Sequence, residues 1–345
     1  MGAAITHLSM PELTCRHRYS SQKGRAAMTT IHDHLEEFYG LPVHDFPEVP
    51  DASEALPELP AADSVAWRVR VDYDEDEETW VDRFTRLLDT VAAERVRALI
   101  VGSWGAQWEN SSAVAVEALV AARDRLPELR AIFLGDITME EAEISWIIQS
   151  EVSPILVAFP ELEEFGVRGG QQLAFASVRH ERLAQLTVQS GGLSGEAVRG
   201  IAGCDLPALT HLDLWLGTED YGGDCEVSDL APILTGAKLP GLRDLALRNS
   251  EIQDRICVAL ATAPVVAQLE GLDVSMGVLT DEGAGALLTG QSLTHLTSLD
   301  MHYNFLSESM RSAVRSLLEP AGVEVDVDVD DAGYDEDYRY VAVGE

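Results

Sequence analysis

Between Leu242 and Leu306 one pattern is written three times at a constant step: LRDLALRNSEI from Leu242, LEGLDVSMGVL from Leu269 and LTSLDMHYNFL from Leu296. The step is 27 residues, Leu242 to Leu269 to Leu296, and apolar residues fill the first, fourth, sixth and eleventh places of each copy. Alternation at the fourth and sixth places is the period of a strand, so Leu245 and Leu247 share one side of the pleat. A single short strand with one return segment cannot bury such side chains alone. Stacked copies can, because each covers the next and the core becomes continuous.

The same template extends backwards to Leu209 (LTHLDLWL), Leu183 (LAQLTVQS), Leu162 (LEEFGVRG), Leu129 (LRAIFLGD) and Val96 (VRALIVGS), at uneven spacings. Ahead of these, VAWRVRVDYD from Val65 reads as a first strand with Arg70 at its fifth place, and GVEVDVDVDD from Gly322 reads as a last one. Return segments carry helical periodicity: LTDEGAGALLTG from Leu279, LSGEAVRGIAG from Leu193, LSESMRSAVRSLL from Leu306 and SSAVAVEALVAARDRL from Ser111. Several open on a Ser or Thr suited to an N-cap, and two close on Gly. Strand, return helix and a step of this size are the leucine-rich-repeat signature. The segment LTDEGAGALL resembles the ribonuclease-inhibitor type, over roughly residues 96 to 330. The expected fold is therefore an α/β leucine-rich-repeat solenoid, a horseshoe of about ten parallel strands on the concave face with helices on the convex face. The ninth place, where the family often carries Asn or Cys, holds Ser250, Gly277, Gly191 and Gly217 and only once Asn304, which predicts no regular asparagine ladder.

Four segments follow from composition. Residues 1–27 carry Arg16, Arg18, Lys23 and Arg25 against Glu12 and read as a disordered extension, or an upstream translation before a start at Met28. Residues 28–63 are a Pro-punctuated acidic cap with a short helical piece around His34 to Tyr39. Residues 64–330 are the repeat domain, and 331–345 an acidic tail. The balance of 24 basic and 59 acidic residues gives a net charge of −35, which opposes nucleic acid and anionic membranes and favours a basic protein or peptide partner. No apolar run approaches the about 18 residues of a membrane span, and none resembles a secretory h-region. Cys15, Cys204, Cys225 and Cys257 show no metal or catalytic spacing, as in a reduced cytoplasmic monomer. The alternating acids from Asp72 fail as an EF-hand, with Glu77 sixth and Arg83 twelfth, so no metal or cofactor is expected.

In such a strand the third, fifth, seventh and eighth places face the concave side. That register gives an acidic stripe of Asp213, Asp244, Asp273 and Asp300 beside Trp215, Arg248, His302 and Tyr303, with His211 close by. Exposed aromatics and Arg dominate binding hot spots, so these nine residues form the candidate partner site. Loops at Trp104 and Trp108 and at residues 217–229 are secondary candidates. His211 with Asp213, and His302 with Asp300, are the only pairs suited to acid/base work, and no phosphate loop, GxSxG or zinc motif supports an enzyme. From Met28 onward the chain also resembles an uncharacterised group of largely actinobacterial cytoplasmic leucine-rich-repeat proteins, on IHDHLEEFYGLPV, GVEVDVDVDD and YRYVAVGE. That resemblance implies an accessory or scaffolding role in a biosynthetic gene cluster. The expected function is a non-catalytic protein-binding scaffold, with an inhibitor or immunity-like protein capping a basic enzyme as the alternative.

Overall fold

The structure, a computed structural model, describes residues 31–49, 58–72, 78–329 and 339–345. The extension 1–27, Cys15 and the acids from Tyr73 to Glu77 lie outside the described residues, as do residues 330–338 of the tail. Twelve strands form one sheet in chain order. β1 (Glu37–Phe38) and β2 (Leu41–Asp45) pair antiparallel, and β2 then pairs parallel with β3 (Ala66–Val71). The array continues in parallel through β4 (Ala98–Trp104), β5 (Ala131–Leu134), β6 (Glu164–Arg168), β7 (Gln185–Gln189) and β8 (His211–Gly217). It ends with β9 (Asp244–Ser250), β10 (Gly271–Asp273), β11 (Ser298–Asp300) and β12 (Glu324–Asp326). This is the leucine-rich-repeat solenoid that the 27-residue step predicted.

The fourth place sets the register. Leu99, Ile132, Phe165, Leu186, Leu212, Leu245, Leu272 and Leu299 are direct cross-strand partners in succession, and all are buried in one continuous core. The first strand departs from the expected register. Arg68, not Arg70, pairs with Ile100 at the fifth place, and Trp67 with Leu99 at the fourth. A slip of two residues leaves every side chain on the same face, so alternation alone cannot detect it.

Return segments form α1 (Trp80–Thr90), α2 (Ala113–Ala121), α3 (Ser153–Ala158), α4 (Gly195–Gly203), α5 (Ala231–Thr235), α6 (Gln253–Leu260), α7 (Asp281–Gly290) and α8 (Glu308–Leu318). Thr79, Ser194, Thr280 and Ser307 cap α1, α4, α7 and α8, each accepting a backbone N–H of the first turn. The expected glycine caps differ: Gly203 and Gly290 are the last helical residues, and the left-handed cap is Gly236 after α5. Among the described residues no helix is long and apolar enough to cross a membrane.

A full asparagine ladder is indeed missing, and side-chain amides replace it piecemeal. Buried Asn304 donates Nδ2 to Val274 O at 2.9 Å and accepts Leu279 N at 3.0 Å. Gln149 Nε2 donates to Arg168 O and Gln253 Nε2 to Leu247 O in other turns.

Two non-repetitive segments lie over the array. Residues 31–45 hold no helix around His34 to Tyr39; they form the β1–β2 hairpin and pass across the concave side of β3 to β5. There Leu35 and Phe38 join Ala66, Ala98, Ile100, Ala131 and Phe133 in a second small core, with Phe38 edge-on to Phe133 at 6.0 Å. Polar ties fix this cover. Leu35 N donates to Asp136, and Arg68 forks onto Asp45 at 2.6 and 2.7 Å while its Nη1 donates to Asp136 at 2.9 Å. The carboxylates of Asp136 and Glu141, 3.4 and 3.5 Å from the His34 ring, push that imidazole up to about 9. The second segment is 339–345. It lies along the C-terminal ends of β7 to β11, with Arg339 over the Phe305 ring, Ala342 N on Met276 O and Val343 on Asn249.

Candidate functional site

Past the first cover the concave floor from β7 to β12 carries a dense charge array. At the fifth place the register sets Asp273, Asp300 and Asp326 side by side on adjacent strands. Asp213 stands two strands earlier, with Ala246 between it and Asp273. The small Ala246 leaves room for Arg248, two residues along the same strand, to bridge both neighbours. Its Nε and Nη2 donate to Asp213 at 2.9 and 2.6 Å, and its Nη1 lies 3.3 Å from Asp273. The guanidinium also sits 5.1 Å from the Trp215 ring centroid. One strand from Asp326, His302 Nδ1 is 2.7 Å from Asp300 Oδ1.

Four carboxylates thus share the Arg248 guanidinium and the His302 imidazole, and burial and neighbouring charge shift three of the carboxylates and the imidazole. Burial, with the neighbouring Asp300 charge, pushes Asp273 up to about 6 against the pull of Arg248. Burial also works to raise Asp300, but its hydrogen bond to His302 holds it below the ordinary carboxylate value. For His302 burial works downward, and the Asp300 bond overrides it and raises the imidazole. Asp326 is raised by burial and by Asp300. Above the buried network stand solvent-facing charges: His211 Nε2 pairs with Asp244 at 3.0 Å, both roughly two-fifths exposed, and Glu324 is exposed.

The fold overlays on the crystal structure of a Bacteroides fragilis protein over 82% of this chain and 78% of that one, with a TM-score of 0.73 and 30% sequence identity. The chain belongs to the family of that protein. An internalin from Listeria monocytogenes also matches, over 76% of this chain, at a TM-score of 0.29 and 12% identity, an overlay too loose to build on. No protein-family model and no curated protein matches the sequence.

Within this family member the nine candidate residues fall into two layers. His211, Asp213, Asp244, Asp273 and Asp300 line the floor as the register required. Trp215 and Arg248, expected to be exposed, are 2% and 5% exposed, and His302 is 4% exposed. On the same face as the carboxylates, Arg248 and His302 bond them directly, and Trp215 lies against Arg248. Tyr303 is partly buried at the rim, in left-handed backbone at φ 49°. Trp104, expected in a loop, is the last residue of β4 and packs inward, donating to Asn110 O at 2.9 Å. In the 217–229 loop Tyr221 bonds Glu345 at 2.5 Å and Asp224 accepts Gly195 N at 2.7 Å, so that loop braces the rim and α4.

Two concave-side residues escaped sequence reasoning, one on the floor and one on β6 beside it. Asp326 is the fifth-place residue of GVEVDVDVDD, and extending the map by one strand would have found it. Asp300, His302 and Asp326 present ligand atoms within 4.8 Å of one another, the one such grouping among the described residues, and the short Asp300–His302 bond gives it the geometry of an ion pair. Glu164, at the third place of β6, is pushed up to about 7 by burial, with His211 opposing. A raised carboxyl destabilises the fold once both states are ionised, above about pH 7, and has no effect where both are protonated, below about pH 4.5. Glu164→Gln should therefore stabilise the protein by up to about 2 to 3 kcal/mol at pH 8 and leave it unchanged at pH 4. Urea melts at the two pH values give the comparison, and equal shifts at both would contradict the burial of this carboxyl.

Proposed function

We propose that this protein is a non-catalytic binding scaffold whose partner docks, through a basic surface, on the concave floor from β7 to β12. The observation that carries the reading is the acidic concave floor past the first cover, where four fifth-place carboxylates share the single guanidinium of Arg248 and the imidazole of His302. Large concave faces are where repeat proteins bind, and excess negative charge steers a basic partner. The 27-residue step and LTDEGAGALL favour ribonuclease-inhibitor-type repeats. The resemblance to actinobacterial cytoplasmic proteins favours a monomeric accessory protein of a biosynthetic gene cluster. Capping a basic enzyme as an inhibitor is the alternative drawn from the same charge of −35.

Residues of the buried layer are unsuited to a binding test, since their loss perturbs the fold. The exposed charges serve instead. A variant carrying His211→Glu, Asp244→Lys and Glu324→Lys should lose the partner that the parent captures from native extract, while melting within a few degrees of the parent. The partner's activity then separates the roles: abolished by an inhibitor, with a strongly salt-dependent on-rate, and retained or raised by a scaffold.

A further inference from the structure

We propose that the groove along the C-terminal ends of β7 to β11 is a binding site for an extended peptide, held in this structure by the chain's own residues 339–345. A segment of a partner protein, with small apolar residues at alternate positions, takes their place. The occupying segment has the form of a bound peptide. Arg339 lies over Phe305 in the β11 copy, Ala342 reaches Met276 of the β10 copy, Val343 reaches Asn249 of β9, and Gly344 abuts Gly191 just after β7. Four strand spacings at about 4.8 Å make about 19 Å, close to the about 17 Å that five steps of extended chain cover. The segment is therefore nearly straight and crosses the strand ends at a high angle. From residue 340 to 344 its side chains alternate accordingly: Val341 and Val343 are buried, Tyr340 is 51% exposed and Ala342 is partly exposed.

The groove reads main chain more than side chain. Asn249 accepts Val343 N on Oδ1 at 2.9 Å and donates Nδ2 to Val343 O at 2.6 Å, satisfying both backbone groups of one residue. Met276 O accepts Ala342 N at 2.9 Å. Asn249, Met276 and Tyr303 occupy the eighth place of three successive copies, and all three are left-handed, at φ 51°, 65° and 49°. Non-glycine residues take this conformation at an energetic cost that concentrates at ligand clamps. Here the clamp is repeated at the repeat spacing. Gly191 belongs to the same surface, because a Cβ there would collide with Gly344 O. Recognition of this kind tolerates sequence changes between the two valine positions, as in strand addition to a sheet edge.

Displacement is feasible on magnitudes. Two buried valines and three main-chain hydrogen bonds are set against the ordering of seven residues, and those terms are of similar size. Docking in cis then relies on the high effective concentration of a tethered segment, which a partner held at the acidic floor would match. The inference goes beyond that floor, and its assay contains no basic partner, so either reading can fail without the other.

The test uses the full chain with Val341→Asp and Val343→Asp, which release the segment, and a labelled peptide RYVAVGE followed by anisotropy. The released variant should bind the peptide at least tenfold more tightly than the parent, and adding Asn249→Ala should remove that binding. Absence of saturable binding to a released variant that melts like the parent would overturn the proposal. So would binding insensitive to Asn249→Ala, or a parent that dimerises by exchanging its own segment. If the released variant fails to fold, hydrogen exchange on the parent decides. The Ala342 and Val343 amides should exchange at least a hundredfold faster than Leu245 and faster still with excess peptide, and protection equal to Leu245 would contradict displacement.

Discussion

Leu245→Asp should abolish the cooperative melt of the array. Leu245 is 1% exposed and is flanked at the same place by Leu212 and Leu272, both equally buried. The substitution removes about 1.5 to 3 kcal/mol of apolar burial and places a carboxylate where neither adjacent strand offers a partner. The combined loss is about 5 kcal/mol or more, comparable to the whole stability of many domains. Because each repeat is stabilised by its neighbours, the damage should spread through β8 to β11. Circular dichroism and limited proteolysis would show it, and Leu272→Asp should behave alike. Asp244→Asn, on the adjoining solvent-facing position, should melt close to the parent. A Leu245→Asp protein with the parent's melt would mean that the register is wrong.

The second large effect concerns Arg248. Arg248→Met removes the nearly buried cation that joins Asp213 to Asp273 and leaves two partly buried carboxylates, with one strand between them, without their shared partner. Breaking such a pair from one side costs about 3 to 5 kcal/mol, and that loss is expected at pH 7.5. The effect should shrink at pH 5. Asp273 is raised to about 6 even with Arg248 present, against about 3.9 in an unfolded chain. Its penalty is therefore absent below about pH 4, grows through the folded value and is complete above it. Asp213→Asn added to Arg248→Met should restore part of the stability at pH 7.5. Guanidinium titrations at the two pH values measure all three differences, and a loss below about 1 kcal/mol at pH 7.5 would show that the network is solvated.

The parts legible in the sequence are those that repeat. Leu242, Leu269 and Leu296 fix a constant step, the strand period fixes the faces, and together they place Asp213, Asp273 and Asp300 on the concave side. The first strand slipped because VAWRVRVDYD alternates without a break, so Arg68 and Arg70 satisfy one template equally. The burial of Trp215 and Arg248 was illegible for another reason. A register says which way a side chain points, and it is silent on what lies over it. The two covering segments were illegible as well, because they lack a period and are tied to the array by contacts such as Leu35 to Asp136 and Val343 to Asn249, 101 and 94 residues apart in the chain. The hairpin at 37–45 was mistaken for a helical piece because its strands are short and gain their stability from pairing with β3 rather than from local propensity.

The most direct measurement is carboxyl footprinting by carbodiimide labelling and mass spectrometry, on the protein free and bound to its captured partner. The account predicts that Asp213, Asp244 and Glu324 label less in the complex, while Glu117 on α2 and Glu308 on α8 are unchanged. Protection of the convex carboxylates with an unprotected floor would contradict it.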